Sequence, residues 1–203
     1  MPNDRFAVLT DAAIDVLADS GMRGLTHRAV DTRAGLPQGT TSAYFRTRRA
    51  LIEAVVRRLA DLDRADLDAD RLPDGGGAPP AAMIDIDGLA GRIAGVLDRW
   101  MSTGRNRTLA RYACLLEATH HPELRTILAH GDASRAQSRA MLAAAGATHP
   151  DQAGNHLVAC IDGLLFDRLA GAGARTAPRP GTAANRADLT VALATLLRAF
   201  AGR

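Results

Sequence analysis

Apolar residues recur every three or four positions along most of the chain, which is the spacing of one face of an α-helix. The runs predict helices over residues 5–20, 47–69, 85–102, 105–119, 122–145 and 149–170, and a last one that starts near residue 185. Asp85 or Asp87 begins the third, Gly131 marks a bend in the fifth, and Asn185 is expected to cap the last. Two Gly- and Pro-rich segments, residues 72–82 and 171–182, are expected to be loops, the first of them mobile. No segment alternates as a strand does, so the predicted fold class is all-α.

Residues 26–51 depart from this regular pattern. Thr26 is suited to cap a short helix over residues 27–34, and Gly35 is suited to end it. The run at residues 39–45 then contains three adjacent hydroxyl side chains, which bury little and compete for backbone hydrogen bonds. Such a run makes a poor core helix. In a DNA groove, however, its hydroxyls can bond phosphates or base edges.

Ten residues of this stretch stand at the spacing of a known motif: Thr26, Val30, Ala34, Gly35, Leu36, Gly39, Tyr44, Phe45, Arg48 and Leu51. The stretch thereby resembles the DNA-binding domain of the TetR family of bacterial one-component repressors. Asp31 stands where that family usually has a small residue, Pro37 where serine is common, and Ser42 where the first of two tyrosines often stands. The resemblance implies a helix-turn-helix DNA-binding domain over residues 1–47 and a helical effector-binding and dimerisation domain over residues 48–203.

The resemblance also implies that the second short helix enters a groove of double-stranded DNA. One such helix offers few base contacts, whereas a homodimer that holds two of them about one DNA turn apart can read a palindromic operator. Phe45 is expected to anchor the helix on its neighbours. The predicted DNA-binding residues are Thr26, His27, Arg28, Gln38, Thr40, Thr41, Ser42, Tyr44 and Arg48.

Charge is distributed as a DNA-binding head requires. Residues 21–60 carry eight arginines and two acidic residues, whereas residues 1–20 carry one arginine and four aspartates. Residues 61–203 carry sixteen arginines and sixteen acidic residues, so the net charge of +3 comes from the motif region alone. An excess of positive charge at one end is expected where that end meets a polyanion. On charge alone, a patchy surface without function is the alternative.

The middle helices are where a regulator of this type would hold a small-molecule effector. A mostly apolar pocket with a few polar groups is the usual arrangement, although each candidate can also be an ordinary core or surface residue. The predicted effector-binding residues are Trp100, Met101, Tyr112, Cys114, Glu117, His121 and Met141. Residue types do not identify the effector.

A metal-sensing alternative rests on His120, His121 and His130. Pro122 should break the helix that would align them with nearby carboxylates, and adjacent histidines tend to point apart. We therefore predict no metal and no other cofactor.

The last two predicted helices are more apolar than one buried face requires. The resemblance implies that they pair with their copies in a four-helix dimer interface. The predicted seam consists of Ile161, Leu165, Leu193 and Leu197, and the alternative is that these side chains are buried within the protomer.

Composition limits the remaining classes. The start of the chain is not signal-like, and no run approaches the roughly 18 apolar residues of a membrane span, so a cytoplasmic protein is expected. Cys114 and Cys160 lack metal or redox spacing and are expected to be buried free thiols. No nucleophile elbow, phosphate loop or HExxH helix is present, which favours binding over catalysis.

The predicted function is a ligand-responsive transcriptional repressor. Two alternatives use the same fold: a protein that binds or sequesters small molecules without binding DNA, and a DNA-binding regulator that needs no effector.

Overall fold

The computed structural model of the chain describes residues 2–69, 85–121, 124 and 130–202. This part of the chain contains nine α-helices and no strand, so the all-α prediction is confirmed. The predicted loop at 72–82, and residues 122–123 and 125–129 of the fifth predicted helix, lie outside the described residues. The helices are α1 (Pro2–Gly24), α2 (His27–Ala34), α3 (Thr40–Tyr44), α4 (Arg48–Ala69), α5 (Ile86–Met101), α6 (Arg105–Glu117), α7 (His130–Ala144), α8 (Pro150–Ala170) and α9 (Ala183–Ala201).

Local sequence chemistry sets most helix ends. The hydroxyls of Thr26 and Thr47 accept backbone hydrogen bonds at the starts of α2 and α4, and Asp85 does the same for α5. Gly35 ends α2 with φ 65° and ψ 32°, a left-handed conformation that glycine adopts without strain. The predicted limits of α2 are therefore confirmed. None of the described helices combines the length and the apolar character that crossing a bilayer requires.

The start of α9 differs from the prediction. Its N-cap is Thr182, whose hydroxyl accepts a hydrogen bond from the Asn185 amide at 3.2 Å. The Asn185 side chain is buried and bonds other side chains, so it is not available as a cap. Thr182 and Asn185 are both suitable capping residues and lie close together in the sequence. Only tertiary contacts determine which of them caps the helix.

The chain forms two compact units, and the first contains the described residues of Met1–Asp70 and Arg105–His130. In it, α6 packs on α1 and on α4, and α2 packs on α1. Asp15 of α1 accepts a hydrogen bond from the side-chain amide of Asn106 on α6 at 2.8 Å. Arg111 of α6 forms an ion pair with Asp63 of α4. The core of this unit includes Leu9, Leu17, Leu25, Val30, Phe45, Leu51, Val55, Leu59, Ala110 and Cys114.

The second unit contains the described residues of Arg71–Gly104 and Gly131–Arg203. Helix α5 packs along α9, and α8 contacts both of them. Helices α7 and α8 approach closely at Gly154, where a Cβ atom would lie 2.7 Å from the backbone nitrogen of Arg139. Buried leucines of α5, α7, α8 and α9 form the core: Leu97, Leu142, Leu157, Leu165, Leu169, Leu189, Leu193 and Leu197.

A buried polar network ties α5 to α9. Asp98, which is only 3% exposed, accepts hydrogen bonds from the Gly181 amide at 2.7 Å and from the Asn185 side-chain amide at 2.6 Å. Arg186 adds a third bond at 3.1 Å, and Arg168 of α8 donates to the side-chain oxygen Oδ1 of Asn185 at 2.9 Å. Burial raises the pKa of the Asp98 carboxyl, but these hydrogen bonds outweigh it and hold the pKa below its usual value.

Candidate nucleic-acid interface

The helix-turn-helix is formed by α2, the turn at residues 35–39 and α3. Thr26 fixes the start of α2, because its hydroxyl accepts from the Ala29 amide at 3.1 Å. The turn is tied back to α2 by the Gln38 side chain, which donates to the Thr32 hydroxyl at 3.3 Å. The Leu36 amide bonds the Asp31 carbonyl at 2.9 Å. These bonds fix the turn against α2.

Helix α3 rests on α2 through one carboxylate. Asp31 accepts hydrogen bonds from the Gly39 amide and from the Thr41 amide, each at 2.7 Å, and from the Thr41 hydroxyl. Burial raises the pKa of Asp31, but the bonds from Thr41 and Gly39, together with nearby His27, lower it below the usual value. Asp31 is therefore an ionised group beneath the helix that is predicted to meet DNA.

The outer face of α3 carries the polar side chains that the sequence predicted. Ser42 and Tyr44 are exposed, Tyr44 by 45%, and Thr40 is half-buried. The Thr40 hydroxyl donates to the Pro37 carbonyl at 2.6 Å and keeps its lone pairs as acceptors. On the inner side, Phe45 is buried and meets Phe6 of α1 edge-on at 4.9 Å between ring centroids. Phe45 thus lies where an anchor is expected.

Thr41 requires a correction. The sequence reading placed it with the outward hydroxyls, but the structure leaves it 0% exposed, with its hydroxyl bonded to Asp31. In a helix of five residues only one side can face outward, and Thr41 lies on the other. It belongs to the support of α3 and not to its outer surface.

Two further predicted residues hold the head together. The His27 ring donates from Nε2 to the Phe45 carbonyl at 2.7 Å, which ties the start of α2 to the end of α3. The Arg48 guanidinium donates to the carbonyls of Leu25 and Met22, where the α1–α2 connection lies. Both side chains are engaged in intramolecular bonds, so a role at DNA would add to a structural one.

The positive charge of the head is partly neutralised internally. Arg33 pairs with Asp19 and Arg58 pairs with Asp11, so two aspartates of α1 offset part of this charge. The hydrogen bond to Asp19 raises the pKa of Arg33 above its usual value. Arg49 of α4 is exposed and pairs with Glu53 at 2.8 Å, while Arg28 of α2 and Arg46, which follows α3, also lie exposed.

The remaining predicted DNA-binding residues, Thr26, Arg28 and Gln38, are exposed on α2 and on the turn. Beside them lies a surface cleft of about 590 Å³, which could not be predicted from the sequence because residues of two separate helices form it. Its walls are Val16, Ser20, Gly24, Thr26, Arg28, Ala29, Thr32 and Arg33.

The predicted effector residues fall in both compact units. Tyr112, Cys114, Glu117 and His121 belong to the first unit, and Trp100, Met101 and Met141 belong to the second. Cys114 and Met101 are fully buried, whereas Trp100, Tyr112, Glu117 and Met141 are half-buried and His121 is exposed. The set stays a prediction.

The metal-sensing alternative requires several ligand side chains to lie close together. Glu117 and His121 approach to 3.4 Å. Within the described part of the chain, however, no three His, Cys, Asp or Glu side chains are grouped as metal ligands.

The two cysteines differ from each other. Cys114 is buried as expected, and burial, aided by Glu117, raises the pKa of its thiol to about 12. Cys160 is exposed on α8, which corrects the prediction that both thiols are buried. The sequence pattern gives α8 apolar residues on more than one side, so it could not say which side faces inward.

The predicted dimer seam is corrected for the same reason. Leu165, Leu193 and Leu197 are buried in the core of their own unit and are not available to a partner, while Ile161 is half-buried. The apolar residues that α8 and α9 leave exposed are others: Ala159, Cys160, Phe166 and Ala170 on α8, and Ala183, Ala184, Ala187, Val191 and Ala199 on α9. Val191 is 69% exposed and Phe166 is 43% exposed.

Two family models match the chain. The model described as bacterial regulatory proteins, tetR family, matches residues 9–55. The model described as tetracyclin repressor-like, C-terminal domain, matches residues 85–199, which is more than half of the chain. No curated protein sequence matches significantly.

Solved structures of similar fold cover nearly the whole chain. A transcriptional regulator from Rhodococcus sp. Rha1 has a TM-score of 0.75 and 24% identity, with 95% of this chain and 94% of that chain covered. A TetR family member from Streptomyces coelicolor A3 has a TM-score of 0.66 and 27% identity, with 95% and 97% covered. The multidrug binding protein EbrR, complexed with imidazole, has a TM-score of 0.61 and 27% identity, with 95% and 94% covered.

A helix-turn-helix head followed by a helical second domain defines the class of DNA-binding transcriptional regulators. Within that class, the chain belongs to the TetR family.

Proposed function

We propose that this chain is a transcriptional repressor that binds a palindromic operator as a homodimer and leaves it when a small molecule binds the second domain. The observation that carries the proposal is the outer face of α3, where Thr40, Ser42 and Tyr44 present hydroxyls beside exposed arginines. Hydroxyl and phenol groups suit base edges and phosphates, and guanidinium groups suit phosphates. In this proposal the activity is binding and not catalysis.

The exposed apolar residues of α8 and α9 support a homodimer, because a second copy of the chain would cover them. Phe166 of α8 and Val191 of α9 are large apolar side chains that lie exposed, and in this proposal both belong to one interaction patch. A two-fold interface uses the same patch on both copies. The two heads would then meet the two halves of a palindrome.

Release by a ligand requires a connection between the effector and the head, and α6 is suited to supply one. This helix lies within the residues matched by the C-terminal family model, yet it packs on α1 and on α4. The Asp15–Asn106 hydrogen bond and the Asp63–Arg111 ion pair join these helices directly. A ligand that moves α6 therefore moves the surface that supports the head. To shift the equilibrium decisively, it must prefer the released form by several kcal/mol.

The effector is sought first among the ligands of a relative. Structures of EbrR hold proflavin, ethidium and malachite green as well as imidazole. Trp100 is the only tryptophan of this chain, so quenching of its fluorescence reports dye binding. The titration is done without DNA, because flat aromatic cations also bind DNA. Saturable quenching at micromolar dye supports a site in the second domain, and non-saturable quenching contradicts it.

The DNA-binding part is tested with a duplex that the wild-type chain enriches from a randomised library. Tyr44→Ala and Thr40→Ala are each expected to weaken binding to that duplex about tenfold, the scale of one good base or phosphate contact. Thr119→Ala is the control, since Thr119 is an exposed threonine whose hydroxyl, like that of Thr40, donates to the carbonyl three residues earlier, that of Leu116 at 2.7 Å. Affinities are compared in band shifts at one salt concentration.

Equal affinities for wild type, Tyr44→Ala and Thr40→Ala would remove this face of α3 from the proposal. A wild-type chain that enriches no sequence but binds a dye would favour the alternative of a ligand-sequestering protein. A chain that enriches a palindrome but shows no ligand-dependent release would favour an effector-independent regulator.

A further inference from the structure

Asp31 is a carboxylate buried beneath the recognition helix. It lies on α2 and is 1% exposed, and both of its oxygens face α3. Oδ2 accepts from the Gly39 amide at 2.7 Å, and Oδ1 accepts from the Thr41 amide at 2.7 Å and from the Thr41 hydroxyl. These three hydrogen bonds join α2 to α3 and to its N-cap residue, Gly39.

Helix α3 has no cap of its own. Its N-cap position is Gly39, with φ 95° and ψ −10°, and glycine has no side chain that could accept a hydrogen bond. Pro37 likewise lacks a side-chain acceptor. A helix of five residues is far below the length at which helices are stable alone, so α3 depends on bonds from outside itself.

We infer that Asp31 is the positioning residue of the recognition helix, acting through Gly39 and Thr41 to set the angle at which Thr40, Ser42 and Tyr44 meet DNA. This inference rests on the proposed function, since it assumes that α3 is read against an operator. The arginines that provide non-specific attraction do not depend on this carboxylate. Loss of Asp31 therefore affects the specificity of binding more than its strength on arbitrary DNA.

The same arrangement predicts how DNA approaches. The N-terminal amides of a helix are often an anion site, but those of Gly39 and Thr41 are already bonded to an internal carboxylate. A phosphate placed there would face the negative charge of Asp31. Operator contacts are thus made by the side chains of α3 and not by its amino end.

The experiment compares Asp31→Asn with the charge-matched Asp11→Asn. Asp11 is an exposed aspartate of the same head, so both variants change the net charge equally. Affinity is measured for the duplex selected by the wild type and for a random duplex of equal length, at several salt concentrations. Asp31→Asn is expected to lower affinity for the selected duplex on the order of tenfold, as expected for a lost helix cap. On the random duplex, its affinity and salt slope should equal those of Asp11→Asn.

Two further measurements separate positioning from general stability. Thr41→Val removes the hydroxyl bond and should lower only the specific affinity, by a few-fold, whereas the conservative Thr41→Ser should restore wild-type binding. Amide hydrogen exchange in Asp31→Asn should accelerate at Gly39 and Thr41 while Leu17 and Val55 stay protected, because those residues lie in the core of the head.

Equal specific affinity in Asp31→Asn and Asp11→Asn would overturn the inference. If Asp31→Asn does not fold, the Thr41 pair decides: weak binding by Thr41→Val with normal binding by Thr41→Ser supports it, and equal binding by both overturns it. If the wild type selects no duplex, the proposed function fails instead. The exchange rates of Gly39 and Thr41 then decide whether Asp31 positions α3.

Discussion

Replacing Asp98 by alanine should lower the unfolding free energy of the second unit more than the loss of an exposed ion pair would. Asp98 is buried at the end of α5 and holds three donors of the α9 region, namely the Gly181 amide, the Asn185 side chain and Arg186. Alanine removes both acceptor oxygens, so all three donors lose their partner at once. Helix α9 supplies part of the proposed dimer surface, so a loosened α9 should also weaken dimerisation.

The magnitude follows from which donors lose their partner. Asn185 is 0% exposed, so its orphaned side-chain amide costs about 1–3 kcal/mol, and the Gly181 amide adds up to a similar amount where water does not replace the carboxylate. Arg186 is about half exposed and can return to water, so its loss adds little. The sum is about 3 kcal/mol, which is a large share of the stability of an ordinary domain.

The assay is urea unfolding at one fixed protein concentration, because the proposed dimerisation would make stability concentration-dependent. Asp87→Ala is the matched control, since Asp87 is an aspartate on the same helix whose side chain is 70% exposed and pairs with Arg198. The control is expected to lose less than about 1 kcal/mol. If Asp98→Ala loses no more stability than Asp87→Ala, the Asp98 network does not stabilise the packing of α5 against α9.

The pH dependence gives a second check on the same residue. The folded-state pKa of Asp98 lies below its usual value of 3.8. Its contribution is therefore fully present above the unfolded-state pKa and is lost as pH falls through the folded-state pKa. The stability difference between wild type and Asp98→Ala should be constant near neutrality and should shrink below about pH 4. A difference that grows on acidification would contradict the sign of this argument.

Two other predictions concern the surface of the second unit. Val191→Glu should convert the proposed dimer into folded monomers, because a charge on the apolar side of α9 would be buried by the partner. Sedimentation velocity measures the change, and Val8→Glu on α1 is the exposed-valine control. A dimer that persists in Val191→Glu would exclude this surface as the interface. In the Val191→Glu protein, Cys160 should react with a disulfide reagent at pH 8 while Cys114, buried and with a thiol pKa of about 12, should not; Cys160→Ala should abolish the reaction, and two reactive thiols per chain would contradict the burial of Cys114.

Features that depend on residues adjacent in the sequence were predictable from the sequence. The cap at Thr26, the left-handed Gly35 and the limits of α2 follow from the conformational preferences of those residues alone. The Tyr44–Phe45 pair was likewise assigned correctly, with Phe45 inward and Tyr44 outward. The motif therefore gave the architecture of the head.

Features that depend on which side of a helix turns inward were not predictable. Thr41 was expected to face outward because hydroxyl side chains are usually exposed, but a buried acceptor, Asp31, makes its burial favourable. Helix α9 has apolar residues on two sides, so the sequence could not tell that Leu193 faces the core and Val191 the surface. Such choices are made by contacts between distant residues.

The central claim is that the two heads of a homodimer bind the two halves of a palindrome through α3, from one side of the DNA. Hydroxyl-radical footprinting of the duplex that the wild-type chain selects tests this claim most directly. The account predicts two protected regions on one side of the DNA, related by two-fold symmetry and separated by about one helical turn, roughly 10 base pairs, or a multiple of it. A single unsymmetrical protected region, or protection that does not depend on sequence, would contradict it.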